Sequence, residues 1–152
     1  FSSRRRHTRY ISVTGVQTCA LPILANSLRK DETYALIKLR DSLQSRLQTE
    51  FPDLIVNGHH KRRLANHLHI SLPGLDGERA VFALDQQGIM VATGSACAAN
   101  KGTRSHVLDA VGMDPALADA SLRLTLGRGW DEAKLTQAAD IIVAVLKKER
   151  YR

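Results

Sequence analysis

A-N-H-L-H-I-S-L, running from Ala65 to Leu72, alternates apolar and polar residues, with Leu68, Ile70 and Leu72 on one side and His67, His69 and Ser71 on the other. Successive side chains of an extended chain point to opposite faces, so this pattern predicts a half-buried strand. S-L-R-L-T-L, Ser121 to Leu126, repeats it: Leu122, Leu124 and Leu126 face a core, and Arg123 and Thr125 face away. Two half-buried strands need a cover on one face only. The rest of the chain supplies helices for it.

Upstream, Leu36, Leu39, Leu43 and Leu47 recur at steps of three and four, which predicts an amphipathic helix from Leu28 to about Thr49, ended by Pro52. Leu54 to Val56 forms a short strand closed by the Asn57-Gly58 turn, and His59 to Arg63 reads as a solvated loop. Past Pro73-Gly74, Asp76 caps a helix that runs through Gln87, with Gly88 as its left-handed C-terminal cap. Ile89 to Thr93 is a short apolar strand, Gly94 to Thr103 a loop of small residues, and Ser105 the cap of a short helix ending at Gly112. Asp131 and Glu132 suit the start of a closing helix, Leu135, Ala138, Ile142 and Val145 line its inner face, and Lys147, Lys148 and Arg150 suit its C-terminal dipole. The predicted order is α-β-β-α-β-α-β-α. The fold class is α+β, a small sheet of short strands with helices packed chiefly on one face.

With 152 residues, 43% hydrophobic and 24% charged, one ordinary core is expected. No apolar run reaches the roughly 20 residues needed to span a bilayer, which predicts a soluble protein with no membrane partner. The formal charge of +7 invites a nucleic-acid reading, but four arginines, Arg4, Arg5, Arg6 and Arg9, crowd the first nine residues. Ser2 to Arg9 (S-S-R-R-R-H-T-R) resembles the translation of a common short-read sequencing adapter, in codons tca-agc-aga-aga-cgg-cat-acg-aga, and Val13 to Ile23 (V-T-G-V-Q-T-C-A-L-P-I) resembles the remainder. Tyr10, Ile11 and Ser12 fill the place of the variable index. Residues 1–23 are therefore read as an adapter-derived, disordered tail, and residues 24–152 as the domain. Without the tail, 18 basic residues face 15 acidic ones, and +3 leaves no basis for binding nucleic acid.

Of the two cysteines, Cys19 falls in the tail and Cys97 lies in V-A-T-G-S-A-C-A-A-N-K-G-T, Val91 to Thr103. So few cysteines predict a reducing, cytoplasmic setting. The residues around Cys97 have almost no side chain, which describes an exposed thiol on a pliant loop better than a core cysteine, although composition leaves both readings open. His59, His60, His67 and His69 match no common zinc spacing, so no metal site is expected. There is no Gly-x-Gly-x-x-Gly, phosphate-binding P-loop or Cys-x-x-Cys, and His106 has no assignable role.

Four motifs in order resemble the C-terminal part of the NifS/IscS cysteine desulfurases, fold-type I pyridoxal-phosphate enzymes of the class V aminotransferase family. N-H-L-H-I-S (Asn66 to Ser71) is similar to that family's N-T-L-N-I-S strand, and F-A-L-D-Q-Q-G-I-M-V-A-T (Phe82 to Thr93) to the helix and strand that lead into its cysteine loop. G-S-A-C with S-H-V-L-D-A-V-G (Ser105 to Gly112) resembles that loop and its helix, and S-L-R-L-T-L-G-R (Ser121 to Arg128) resembles the family's last strand. The likeness runs from about Leu24 to the C-terminus.

The resemblance implies the small C-terminal domain of a dimeric enzyme that uses pyridoxal 5'-phosphate to take sulfur from L-cysteine, releasing alanine and leaving a persulfide on Cys97. The persulfide would pass to an acceptor protein such as an iron-sulfur scaffold, or into thio-cofactor assembly. Arg128 matches the arginine that grips the substrate carboxylate, a task suited to a two-pronged guanidinium. Arg123, in the same motif, is read as a structural ion-pair former. The family's cofactor lysine, stacking histidine and pyridine-nitrogen aspartate belong to an upstream domain, so no cofactor is expected to bind this fragment and it should be inactive alone. Competing readings are a selenocysteine lyase-like class V enzyme and a non-enzymatic persulfide relay module. G-S-A-C argues against an ordinary transaminase, which lacks the loop thiol.

Overall fold

The computed structural model describes residues 29–94 and 105–151. Backbone contacts divide the chain into two units, Phe1–Ala35 and Leu36–Arg152. Of the first unit only residues 29–35 are described, as helix. The boundary expected at residue 23 and the loop around Cys97 both lie outside the described residues.

Helix α1 covers residues 29–50. It is followed by β1 (Ile55–Val56), β2 (His67–Ser71), α2 (Gly77–Asp85), β3 (Ala92–Thr93), α3 (His106–Ala110), α4 (Pro115–Asp119), β4 (Ser121–Thr125) and α5 (Glu132–Arg150). The strands form one antiparallel sheet in the order β1-β2-β4-β3. The two alternating stretches are its centre, paired from His67 with Thr125 through His69 with Arg123 to Ser71 with Ser121. Leu68, Ile70, Leu122 and Leu124 thus share a face and are at most 5% exposed. Leu39, Leu43 and Leu47 of α1, Ala80 and Leu84 of α2, and Leu135, Ala139, Ile142 and Leu146 of α5 close over them in one core. The α+β architecture expected from the sequence, with helices chiefly on one face, is the one observed.

Local chemistry sets the boundaries. Asp76, Asp114 and Asp131 each accept a backbone N–H in the first turn of α2, α4 and α5. Gly88 takes the left-handed conformation expected of a cap, at φ 77°. Three expectations need correction. Ile89 and Val91 pack against the core instead of pairing, so β3 keeps only two residues. Ser105 occupies the cap position of α3 but makes no side-chain cap bond, and its backbone carbonyl alone accepts from the Asp109 N–H at 3.0 Å. Helix α4 is absent from the expected order, although Asp114-Pro115 is a start signal, a cap followed by a proline whose missing N–H costs nothing there.

Helix α4 covers one end of the other sheet face. The Ser71 hydroxyl donates to the Leu117 carbonyl at 2.9 Å and accepts from Asn57 Nδ2 at 2.8 Å, while the Ser121 hydroxyl donates to the Ala118 carbonyl at 2.7 Å. Both serines are fully buried and both are satisfied. Gly77, the first residue of α2, sits against the same corner. A Cβ there would lie 2.5 Å from the Asp119 carbonyl oxygen and 3.2 Å from that of Ser121. Backbone oxygens of a strand and its preceding helix have little room to retreat. Gly77→Ala should therefore destabilise the fold by about 1–3 kcal/mol, read as a fall in the melting midpoint. An unchanged midpoint would show that α2 is free to shift at this corner.

Candidate functional site

The face of the sheet opposite the core carries His67 and His69 on β2 and Arg123 on β4, the last directly across from His69. These three side chains form the floor of a groove of about 420 Å³. One wall is the β1–β2 loop, with Asn57, Gly58, His59, Arg62, Arg63 and Leu64. The other is the α3 segment, with Val107, Leu108, Val111 and Met113. Gly94 and Ser105, the last described residue before the loop of Cys97 and the first after it, line the groove as well.

Each wall is held by identifiable contacts. Arg40 of α1, 6% exposed, donates through Nη1 to the carbonyls of Leu64 and Ala65 at 3.0 and 3.2 Å, and through Nε to Asp41 at 2.9 Å. Arg63 Nη2 reaches Asp41 at 3.2 Å and Gln44 at 2.8 Å. The His59 Nδ1 accepts the N–H groups of Lys61 and Arg62 at 3.0 and 3.1 Å, folding the loop tip on itself. On the far side, a Cβ on Gly94 would stand 2.4 Å from Leu108 Cδ1 and 3.1 Å from Ser121 Oγ. A side chain at this position would require Leu108 to move aside.

The groove is electropositive. Arg62, Arg63 and Arg123 line it, and among the described residues no aspartate or glutamate does. Burial, then the charges of His67 and Arg123, push the His69 imidazole down to about pKa 4, while burial and Arg123 also lower that of His67. Both rings are therefore neutral near pH 7. An anion entering the groove meets guanidinium groups and imidazole N–H donors, a setting suited to a carboxylate or another oxyanion. Among the described residues the lining offers no lysine for a Schiff base and no carboxylate to face a pyridine nitrogen. These residues by themselves do not fit pyridoxal 5'-phosphate.

The sequence singles out Cys97 and Arg128. Cys97 lies outside the described residues. Arg128 is exposed in the turn after β4, beyond the point where Asn66 Nδ2 donates to the Leu126 carbonyl at 3.0 Å, and is not among the residues lining the groove. The expectation that Arg123 forms a structural ion pair needs correction. It makes no ion pair among the described residues, because its side of the sheet presents histidines and no acid. The strand alternation holds the signal, since it puts Arg123, His67 and His69 on one polar face. His59, His67 and His69 do share the groove, His60 does not, and among the described residues no group could hold a metal ion.

Comparison with known proteins bears on this arrangement. The sequence profile described as Aminotransferase class-V matches residues 6–133. The chain belongs to the class V aminotransferase family. An "IscS-like cysteine desulfurase" from Mycobacterium tuberculosis is 36% identical over 140 residues, covering 91% of this chain and 35% of the relative. A "Cysteine desulfurase IscS" from Ehrlichia chaffeensis is 30% identical over 127 residues, 84% of this chain and 30% of that one. A solved structure titled "NIFS-LIKE PROTEIN" superposes with a TM-score of 0.70 at 25% identity, over 82% of this chain and 31% of its own. A NifS-like protein from Rickettsia africae shares the fold, with a TM-score of 0.65 at 20% identity. The class V chain thus spans about a third of the length of the relatives it matches. Among its described residues no helix is long and apolar enough to cross a membrane.

The depressed histidines make stability depend on pH. Unfolding releases His69 to an ordinary value near 6.5 from about 4, so the unfolded chain binds more protons between these limits. Stability should be complete above about pH 6.5 and decline as the pH falls toward 4. In His69→Asn, which has no proton to take up, this decline should be shallower. Carboxylates held by ion pairs, such as Asp53 with Arg150, act alike in both proteins. Thermal melts at stepped pH measure the two slopes, and equal slopes would refute the buried, neutral imidazole.

Proposed function

We propose that this chain is the C-terminal small domain, residues 24–152, of a pyridoxal-phosphate-dependent cysteine desulfurase, preceded by an adapter-derived tail over residues 1–23. Cys97 takes the sulfur of L-cysteine. In balance, L-cysteine and the Cys97 thiol give alanine and a Cys97 persulfide, with no outside oxidant or reductant. The thiolate attacks the substrate sulfur, a sulfur–sulfur bond forms as the carbon–sulfur bond breaks, and the electron pair of that bond stays with the carbon that leaves as alanine. The cofactor, held in the upstream part of the parent enzyme, supplies the activation of that carbon–sulfur bond. The parent works as a homodimer and hands its sulfur to an acceptor protein such as an iron-sulfur scaffold in the cytoplasm. The chain alone is inactive.

The observation that carries this reading is the groove. The two described ends of the Cys97 loop, Gly94 and Ser105, line the same electropositive surface as Arg123. An amino-acid carboxylate held there would sit near the two residues that flank the segment bearing the thiol. The resemblance gives the carboxylate to Arg128. A specific observation favours Arg123, since it lies on the groove floor and no acid of the described residues claims it. Small flanking residues around Cys97 suit a loop that must approach a substrate and then an acceptor. The cysteine desulfurase relatives support the reaction class, and the loop thiol favours it over transamination.

The test requires a restored full-length enzyme. Cys97→Ser should abolish sulfur transfer while leaving cysteine binding intact. Arg123→Ala should lower kcat/KM for cysteine by roughly 30- to 1000-fold, the loss of a charge-assisted two-pronged contact. Arg128→Ala should have the smaller effect. A Cys97→Ser enzyme that transfers sulfur at the wild-type rate refutes the acceptor assignment, and a larger loss at Arg128 than at Arg123 returns the carboxylate to Arg128.

A further inference from the structure

The groove floor combines one permanent cation with two rings that can take up a proton. His67 and His69, two residues apart on β2, point to the same side, and Arg123 lies across from His69. Among the described residues, the charged and titratable groups facing His69 are His67 on its own strand, Arg123 on β4, and His59, Arg62 and Arg63 on the β1–β2 loop. From the α3 side the described residues that line the groove are Gly94, Ser105, Val107, Leu108, Val111 and Met113, none of them charged. Asp41, which holds Arg63 at 3.2 Å, is not part of the lining.

Burial first, and then the groove's fixed charges, which among the described residues are all positive, drive protons away from the imidazoles. A bound anion opposes the charge part of that balance. It screens the rings from Arg123 and stabilises an imidazolium beside it, since an opposite charge within hydrogen-bonding reach favours the charged form.

We propose that this groove is a proton-coupled anion site, in which a small carboxylate held by Arg123 binds together with a proton taken from solvent onto the His67–His69 pair. The proposal rests on the reading that the groove receives an amino-acid carboxylate, and adds that two further side chains set the affinity. Binding then strengthens as the pH falls, because the proton and the carboxylate enter as linked ligands. Arg123 supplies the attraction that remains at any pH. His69, the more enclosed of the two rings, supplies most of the pH dependence.

The full 152-residue chain can be tested with 3-mercaptopropionate, a thiol carboxylate without the amine of cysteine. Imidazole resonances are followed by NMR across pH, with and without the probe. The midpoint of His69 should rise by about three pH units in the probe's presence, and the probe's Kd should accordingly tighten by about tenfold from about pH 8 to about pH 6. His69→Asn, with His69→Gln as a second variant, should still bind the probe but lose most of that pH dependence. Arg123→Gln should bind it weakly at every pH. Binding with no movement of the His67 or His69 midpoint overturns the proposal and leaves the carboxylate groove standing. No binding to the folded wild-type chain at any pH overturns both.

Discussion

The antiparallel pairing of β2 with β4 is the constraint on which the other features depend. Its register sets Leu68 beside Leu124 and Ile70 beside Leu122 on the covered face, and His69 beside Arg123 on the opposite one. A slip of one residue would carry the leucines into the groove and the arginine into the core. Burial of a charged, unpaired guanidinium is far more costly than exposure of a leucine, so the two faces fix each other. Core and groove are thus two consequences of one alignment of ten residues.

The helices do more than cover the core. Helix α1 sends Arg40 behind the β1–β2 loop, where its guanidinium donates to two backbone carbonyls. Arg63 is tied to Asp41 and Gln44 on the same helix. The loop carrying His59 and Arg62 is in this way anchored to the helical layer. On the opposite wall, the missing side chain of Gly94 lets the chain pass close to Leu108 and Ser121. Rigid supports of this kind keep a charged groove in shape when no acid among the described residues of its lining neutralises it.

Strands and long helices are legible in the sequence because each has a strong period. The alternation in β2 and β4 and the leucine spacing of α1 leave one way to face a core. Weaker signals mislead more easily. Ile89 to Thr93 is apolar enough for a strand, but apolar residues can pack against the core without pairing, as Ile89 and Val91 do. Helix α4 is five residues long, too short to show a period, and only its Asp-Pro start marks it. A structural ion pair is a natural expectation for Arg123 because a charged residue on a strand often has such a partner. Which side chains stand opposite a polar strand face is a matter of sheet order, and β4 pairing with β2 across a separation of many residues does not appear in the local sequence. The resemblance to cysteine desulfurases is legible because four short motifs keep their order.

The proposed chemistry turns on the atom that leaves L-cysteine and where it goes. The most direct measurement is the mass of the peptide containing Cys97, isolated without reductant from the restored full-length enzyme after brief exposure to L-cysteine. If Cys97 is the acceptor, this peptide alone gains the mass of one sulfur, in step with the alanine released. Alanine release with the added sulfur on a different cysteine, or with no protein-bound sulfur at all, would contradict that assignment.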